Sequence, residues 1–366
     1  MSANSERCQI KMGDDLNAPK IVEALVRRAE TARASDIHLH MHGGGAGVMF
    51  RLDGVLTPVE ELSAEVAERV FGRIKYLARL KTYQDSLPQD GRIEKAEVGA
   101  SEDIRVATYP TVTGEKIVLR LFSSAETKGL GELALAPRIV SELKRFLSGT
   151  SGLLLLTGPA GSGKTTTIYA CLRELAARGG RHIITVEDPV EQVLPGIMQT
   201  EVNDARGLDF AKAARHLLRQ DPQVLVLGEI RDDETANLAV RAALTGHLVI
   251  STLHAGSCKG VVERLLVMCQ DKYAVVSALS LIVNQRLLRK VCERCGGAGC
   301  DNCVGTGYFG RIPVAEFVAI DEALRARLRE SGPGVVATQP TLAEAALELV
   351  AEKKSNEAEF RRLFGE

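Results

Sequence analysis

The segment that decides the fold reads LLLLTGPAGSGKTT and runs from Leu153 to Thr166. Four consecutive leucines predict a buried strand, and the loop after them, Gly158 to Thr165, has the pattern G-x-x-x-x-G-K-[ST]. Glycines in such a loop let backbone N–H groups converge on phosphate oxygens, and the amino terminus of the next helix adds partial positive charge. The sequence therefore predicts a nucleotide-phosphate site in preference to an ordinary glycine-rich turn.

Two side chains of this loop have predicted roles of their own. Lys164 is expected to reach the β- and γ-phosphates, and the Thr165 hydroxyl is expected to ligate Mg²⁺. The predicted nucleotide-binding residues are Gly158, Pro159, Ala160, Gly161, Ser162, Gly163, Lys164, Thr165 and Thr166.

Strands and helices alternate after this loop. Apolar segments at 183–186, 224–227 and 248–252 are separated by stretches with helical periodicity. Such alternation predicts βαβ units and a mostly parallel sheet, so the fold class of this part of the chain is α/β.

Acidic residues follow two of these strands. LVLGEIRD (Leu225 to Asp232) ends in Glu229, the candidate base that orients an attacking water, while Gly228 occupies the place of the usual aspartate. TVEDPVE (Thr185 to Glu191) supplies two acids, Glu187 and Asp188, a pair that can orient water around the metal, and Glu187 is the one expected to assist with metal or water.

Two histidines flank the strand in TGHLVISTLH (Thr245 to His254). Ligands of open α/β sheets bind at the carboxyl ends of the strands. His247 and His254 are both expected to touch the γ-phosphate at this edge.

Composition excludes several classes of protein. The 366 residues carry 46 Lys+Arg and 47 Asp+Glu, so the net charge of −1 rules out a global polycation that coats nucleic acid. Aromatic residues make up 4% and tryptophan is absent, which is poor material for stacking bases. The polar N-terminus does not resemble a secretory signal, and the expected location is the cytosol.

Four of the eight cysteines form the pattern C-x-x-C-x4-C-x-x-C at Cys292, Cys295, Cys300 and Cys303. Two C-x-x-C pairs suit tetrahedral Zn²⁺, although the four-residue spacer is shorter than in typical zinc ribbons. Zinc is favoured over reduced unliganded cysteines, a disulfide pair or an iron–sulfur cluster.

The N-terminal third has a different pattern. A helical stripe at Ile21 and Leu25 precedes a predicted hairpin, in which Ile37 and Leu39 alternate with histidines, so this part is predicted to be α+β. The predicted division is a flexible lead (1–18), an N-terminal α+β domain (19–122), a linker (123–133), and an ATPase domain (134–366) that includes a four-cysteine zinc subdomain (290–311).

Taken in order, these boxes resemble the nucleotide motifs of the secretion ATPase superfamily, specifically the type II secretion and type IV pilus assembly ATPases. The N-terminal segments ASDIHLH, FRLDGVL, PQDGRI and RVATYPTVTGEKIVLRL are similar as well. The resemblance covers roughly residues 20 to 365. It implies a RecA-like P-loop domain, a PAS-like N-terminal domain, and a cytoplasmic ring hexamer that uses ATP to extract pilin-like subunits from the inner membrane.

Site roles follow from the same resemblance. Glu229 is implied as the catalytic glutamate, and Arg92, Arg105 and Arg120 resemble arginines that approach the nucleotide on closure. The implied partners are other copies of the chain and an inner-membrane platform protein, with peripheral membrane association through partners and no direct nucleic acid. The extra N-terminal module that many type II ATPases use for docking is expected to be missing.

Alternatives remain open at this stage. Retraction ATPases lack the cysteine motif, so the cluster favours assembly over a pilus-retraction motor. A DNA-uptake or DNA-transfer motor of the same superfamily, a zinc-bearing helicase and a nucleotide-gated adaptor without hydrolysis are the further alternatives.

Overall fold

The computed structural model describes residues 17–121, 128–203 and 207–365. The predicted lead lies outside these residues except for its last two, and the predicted linker lies outside them as far as residue 127. The chain divides into two compact units. One joins the residues up to 126 with 291–310, and the other joins 127–290 with 311–366.

The first unit is built on one antiparallel sheet. Its elements are α1 (Ala18–Thr31), β1 (Asp36–His42), β2 (Gly45–Leu52), β3 (Val55–Ser63), α2 (Ala64–Leu77), β4 (Gln89–Ile93), α3 (Lys95–Val98), β5 (Ile104–Thr111) and β6 (Gly114–Leu121). The six strands lie in the order β3-β2-β1-β6-β5-β4. Every neighbouring pair is antiparallel.

Sequence patterning explains this unit. The side chain of Asn17 caps α1 by accepting from the Lys20 N–H, and the predicted helical stripe is buried. The predicted hairpin is confirmed as β1 and β2, with Ile37 and Leu39 fully buried. The apolar faces of α1, α2 and the sheet share one core.

The second unit contains a seven-stranded sheet with helices on both faces. Its elements are α4 (Pro137–Ser148), β7 (Gly152–Thr157), α5 (Lys164–Arg178), β8 (Ile183–Glu187), β9 (Met198–Glu201), α6 (Phe210–Leu217), β10 (Val224–Leu227), α7 (Asp233–Leu244), β11 (Leu248–Thr252), α8 (Cys258–Met268), α9 (Lys272–Ala278), β12 (Leu279–Val291), β13 (Tyr308–Ala319), α10 (Glu322–Ser331), α11 (Leu342–Ala351) and α12 (Glu357–Phe364). The strand order is β13-β12-β7-β11-β10-β8-β9.

The run of four leucines is the centre of this sheet. Because successive side chains of a strand point to opposite faces, Leu153 and Leu155 enter one core while Leu154 and Leu156 enter another. β7 pairs in parallel with β11 and with β12, so it is covered on both faces and both edges. A strand buried in this way needs a continuous apolar run, as the sequence predicted.

Two features differ from the predicted division of the chain. The end of the predicted linker packs on the second unit, where Leu130 and Leu133 are buried and Arg173 donates to the Lys128 carbonyl. The four-cysteine segment groups with the N-terminal unit rather than with the ATPase unit.

Specific contacts explain the grouping of the cysteine segment. The Gly310 N–H donates to Asp53 at 2.8 Å, and the Arg33 guanidinium lies 5.3 Å from the centre of the Phe309 ring. Val304 packs against the core of the N-terminal sheet.

Candidate active site and metal centre

The glycine-rich loop lies against strand β12, and two of its glycines are required by that contact. A Cβ at Gly158 would lie 2.3 Å from the Gln285 carbonyl oxygen, and a Cβ at Gly163 would lie 2.7 Å from the Gln285 side-chain nitrogen. Both glycines also have positive φ, at 138° and 89°. A larger residue at either position would therefore displace the loop or the strand.

Gln285 holds the loop in place from β12. Its buried side-chain amide donates to the Ser162 carbonyl at 2.9 Å, and its oxygen accepts from the Thr167 hydroxyl at 3.0 Å. Sequence reasoning missed this residue. The available signal was a polar run, Asn284, Gln285 and Arg286, between apolar residues in the stretch LIVNQRLL, because buried polar side chains need partners.

Lys164 is the first residue of α5, and its side chain is buried. Its ammonium group donates to the carbonyl oxygens of Gly158 and Pro159, both at 2.9 Å. Burial lowers the pKa of Lys164, and the nearby Arg286 guanidinium lowers it further. The Lys164 ammonium group thus lies over the loop, where bound phosphate oxygens would offset its positive charge and that of Arg286.

The loop that follows β11 is tied directly to the end of β7. The Thr157 hydroxyl donates to the Ala255 carbonyl and accepts from the Ala255 N–H, both at 2.9 Å. This reciprocal pair brings His254, one residue earlier, to the same edge of the sheet as the glycine-rich loop. His254 Nε2 lies 3.5 Å from a carboxylate oxygen of Glu229.

Glu229 lies just beyond β10 and is mostly buried. Its carboxylate pairs with the Arg231 guanidinium, which also lies 3.5 Å from Asp188. The structure therefore brings together Glu229, His254 and the glycine-rich loop, places the predicted acid Asp188 near them, and adds Arg231 to the same edge.

Gly228, which occupies the place of the usual aspartate before Glu229, is tightly packed. A Cβ at Gly228 would lie 3.2 Å from the Val186 carbonyl oxygen and 3.3 Å from the Phe210 ring. The Gly228 N–H also donates to that carbonyl at 2.8 Å. A side chain here would require the Val186 carbonyl or the Phe210 ring to move by a few tenths of an ångström.

Glu187 lies at the carboxyl end of β8 and is held there by three hydrogen bonds. It is buried, and its carboxylate accepts from Thr185 at 2.6 Å, from Gln199 at 2.9 Å and from the Tyr169 hydroxyl. Burial and this hydrogen bond raise the pKa of Tyr169 to about 12. The Tyr169 contact ties the acidic box to α5, while Asp188, the second acid of the box, shares Arg231 with Glu229.

His247 does not lie at this edge. It precedes β11, its ring nitrogen lies 3.0 Å from the Ala242 carbonyl, and its own carbonyl accepts from the N–H of Gly152, the first residue of β7. Since β11 and β7 are parallel, His247 lies at the amino ends of the strands, opposite the glycine-rich loop. The expectation that both histidines lie at the carboxyl edge is met only by His254.

The three predicted arginines form a row in the N-terminal unit. Arg92 on β4 pairs in register with Arg105 on β5, which pairs with Arg120 on β6, so their side chains share one face of the sheet. Arg92 forms an ion pair with Asp103, and Arg120 forms one with the buried Asp36.

The four cysteine sulfurs converge. All lie within 4.8 Å of one another, and three of the separations are 3.7 to 3.9 Å. A tetrahedral zinc with bonds of about 2.3 Å holds its sulfurs about 3.8 Å apart. The N–H groups of Gly299 and Gly307 each lie 3.3 Å from a sulfur, as in thiolate sites that stabilise negative charge. The cluster therefore fits zinc.

The profile of the Type II/IV secretion system protein family matches residues 12–362. The chain belongs to this family. Among its relatives, the type II secretion system protein HxcR of Pseudomonas aeruginosa is 42% identical over 315 residues, which are 84% of this chain and 67% of the relative. The type IV pilus assembly ATPase PilB of Thermus thermophilus is 38% identical over 85% of this chain, but the match spans 38% of PilB.

A solved structure supports the fold of this secretion family member. The pilus retraction motor PilT with bound ADP is 26% identical, with a TM-score of 0.64, over 95% of this chain and 97% of PilT. The predicted family, the mixed α/β P-loop fold and the ATPase class are therefore confirmed.

The packing around Gly228 generates the first prediction. We expect Gly228→Asp to lower the free energy of unfolding by about 1–3 kcal/mol, as overpacking of well-packed sites does. Chemical denaturation measures the change. Gly131→Asp is the matched control, because a Cβ there meets nothing within 4 Å. An unchanged stability with a gain in ATPase activity would show that this position accepts a metal-binding aspartate.

Proposed function

We propose that this chain is an ATPase motor that powers assembly of a type II secretion pseudopilus or a type IV pilus. The observation that carries the proposal is the convergence of Glu229 and His254 with a complete phosphate loop at the carboxyl edge of one parallel sheet. The kind of machine is inferred from the relatives, which include a type II secretion protein and a pilus assembly ATPase.

The side chains divide the work of hydrolysis between them. Glu229 accepts a proton from the attacking water, and Lys164 offsets negative charge on the phosphates. Because Arg231 and His254 lie against the Glu229 carboxylate, they fix its direction relative to the attacking water. The Thr165 hydroxyl would hold Mg²⁺, and the ion would supply positive charge that offsets the charge of the phosphates.

The arginine row supplies positive charge from the N-terminal unit. Its spacing is fixed by strand register rather than by loop conformation, so Arg92, Arg105 and Arg120 present their charges together. An arginine that reaches the transferring phosphoryl group contributes on the order of 10³ to 10⁵ in rate. Activity therefore depends on closure of the N-terminal unit and on assembly of a ring, which we propose to be a hexamer.

Mg²⁺-dependent ATP hydrolysis is the expected activity. Replacement of Glu229 by Gln is expected to lower kcat by about 10²–10⁴-fold, since general base catalysis contributes that much. ATP binding is expected to persist because the phosphate loop is intact. The rate per protomer is expected to rise with protein concentration as rings form.

A steady-state assay measures these effects, and Glu348→Gln on α11 is the control because that acid is exposed. Full activity of Glu229→Gln would refute the assigned base. Tight ATP binding with no hydrolysis by the wild type would favour a nucleotide-gated adaptor instead.

Zinc at Cys292, Cys295, Cys300 and Cys303 is part of the proposal. Bound zinc supplies a crosslink that fixes the two turns of the cysteine segment, where the backbones approach so closely that a Cβ at Gly307 would lie 2.4 Å from the Gly297 carbonyl oxygen. The cluster also supports an assembly motor over a retraction motor.

We expect metal analysis of the purified chain to find one zinc per protomer. Cys303→Ser is expected to lose most of the zinc and to lower the melting temperature, because one of four thiolate ligands is removed. Cys269→Ser, a buried cysteine outside the cluster, is the matched control and keeps the metal. If Cys303→Ser kept one zinc per protomer, the ion would be bound elsewhere and the prediction would be wrong.

Location and partners follow from the same proposal. Among the described residues no helix is long and apolar enough to span a bilayer. We place the motor in the cytoplasm, attached to the inner membrane through a platform protein of its machine. Direct nucleic-acid binding is not expected.

A further inference from the structure

Glu316 on β13 is a buried carboxylate that the proposed chemistry does not use. It accepts four hydrogen bonds from four separate parts of the second unit. The donors are the Cys258 N–H at 3.4 Å, the Asn284 side-chain amide at 2.9 Å, the Thr338 hydroxyl at 2.9 Å and the Leu342 N–H at 3.0 Å.

The environment of Glu316 requires a group that only accepts hydrogen bonds. Each carboxylate oxygen faces two donors: Cys258 and Asn284 for one, Thr338 and Leu342 for the other. Two of these donors are the first N–H groups of α8 and α11, whose positive ends favour a negative charge. An isosteric glutamine would turn an NH₂ group toward donors on one side and leave them unpaired.

Glu316 acts on the segment that carries His254. We call residues 253–257, between β11 and α8, the histidine loop. The Asn284 amide that donates to Glu316 also lies 3.2 Å from the Gly256 carbonyl, and Cys258 follows the loop directly. The far end of the histidine loop is thus fixed by Glu316 and Asn284, while Thr157 fixes its middle at Ala255.

We propose that Glu316 is a positioning residue for ATP hydrolysis, which holds the histidine loop so that His254 stays beside Glu229. This inference rests on the proposed ATPase function. Glu316 also joins the loop to the amino end of α11, so α11 and the nucleotide edge are held by one carboxylate.

The phosphate loop has its own support, and this separates binding from turnover. Gln285 fixes the glycine-rich loop through Ser162 and Thr167, and neither contact involves Glu316. Loss of Glu316 leaves these two contacts of the phosphate loop intact, whereas it removes a support of the histidine loop.

Glu316→Gln tests the proposal through the split between kcat and KM. We expect kcat to fall by about 10–100-fold, the cost of a displacement of about 1 Å near the reacting groups, while KM for ATP changes by less than about 3-fold. Amide hydrogen exchange in the histidine loop is expected to become faster, whereas exchange in the glycine-rich loop stays unchanged.

Glu359→Gln is the matched control. Glu359 is equally buried but pairs with Arg289 and Arg362, away from the histidine loop. It is expected to lower thermal stability with kcat and exchange in the histidine loop unchanged. Asn284→Ala removes the link between Glu316 and Gly256, together with the 3.3 Å contact that Arg286 makes to Asn284 Oδ1. If Glu316→Gln fails to fold, hydrogen exchange in the histidine loop of Asn284→Ala decides the matter, and faster exchange with a loss of kcat is expected.

Wild-type kcat and wild-type exchange in Glu316→Gln would overturn the proposal, as would an equal loss of kcat in Glu359→Gln. If the wild type does not hydrolyse ATP, the proposed function fails, and hydrogen exchange in the histidine loop still decides whether Glu316 positions it.

Discussion

The close approach of the glycine-rich loop to strand β12 is the constraint on which the nucleotide edge depends. At Gly158 the two backbones are separated by less than a side chain would need, and Gln285 fills the remaining space with two hydrogen bonds. β12 reaches this position because it pairs in parallel with β7, the strand that leads into the loop. Pairing in the sheet therefore sets the shape of the phosphate site.

A second set of hydrogen bonds extends outward from β12. The side-chain amide of Asn284, adjacent to Gln285, donates to Gly256 in the histidine loop and to Glu316. The Thr157 hydroxyl on β7 donates to the Ala255 carbonyl. The groups expected to bind phosphate and the groups expected to position the water are thus held by neighbouring residues of two paired strands. This arrangement links β7, β12 and the C-terminal helices through buried polar contacts. A buried polar group without a partner lowers stability, so these contacts are expected to persist.

Local patterns predicted the features that depend on neighbours in sequence. The phosphate loop, the buried leucine strand, Glu229 and the cysteine pairs each follow from a short motif. The place of His247 depends on which end of its strand it occupies. The surroundings of Glu187 depend on which side chains donate hydrogen bonds to its carboxylate. Spacing alone did not determine either. Gln285 and Glu316 were missed because the role of a polar residue in an apolar strand depends on its hydrogen-bond partners. Those partners lie more than 20 residues away in the sequence.

The domain boundaries show the same limit. The cysteine motif is flanked in sequence by strands of the ATPase sheet, so proximity in sequence assigned it to that domain. Its contacts through Phe309, Gly310 and Val304 assign it to the N-terminal unit instead.

A crystal structure of the chain with Mg²⁺ and a non-hydrolysable ATP analogue tests the central claim most directly. The phosphates should occupy the glycine-rich loop, with Lys164 moved from the Gly158 and Pro159 carbonyls to the phosphate oxygens, and with Glu229 and His254 facing the γ-phosphate. A nucleotide bound elsewhere, or a γ-phosphate remote from Glu229, would contradict it.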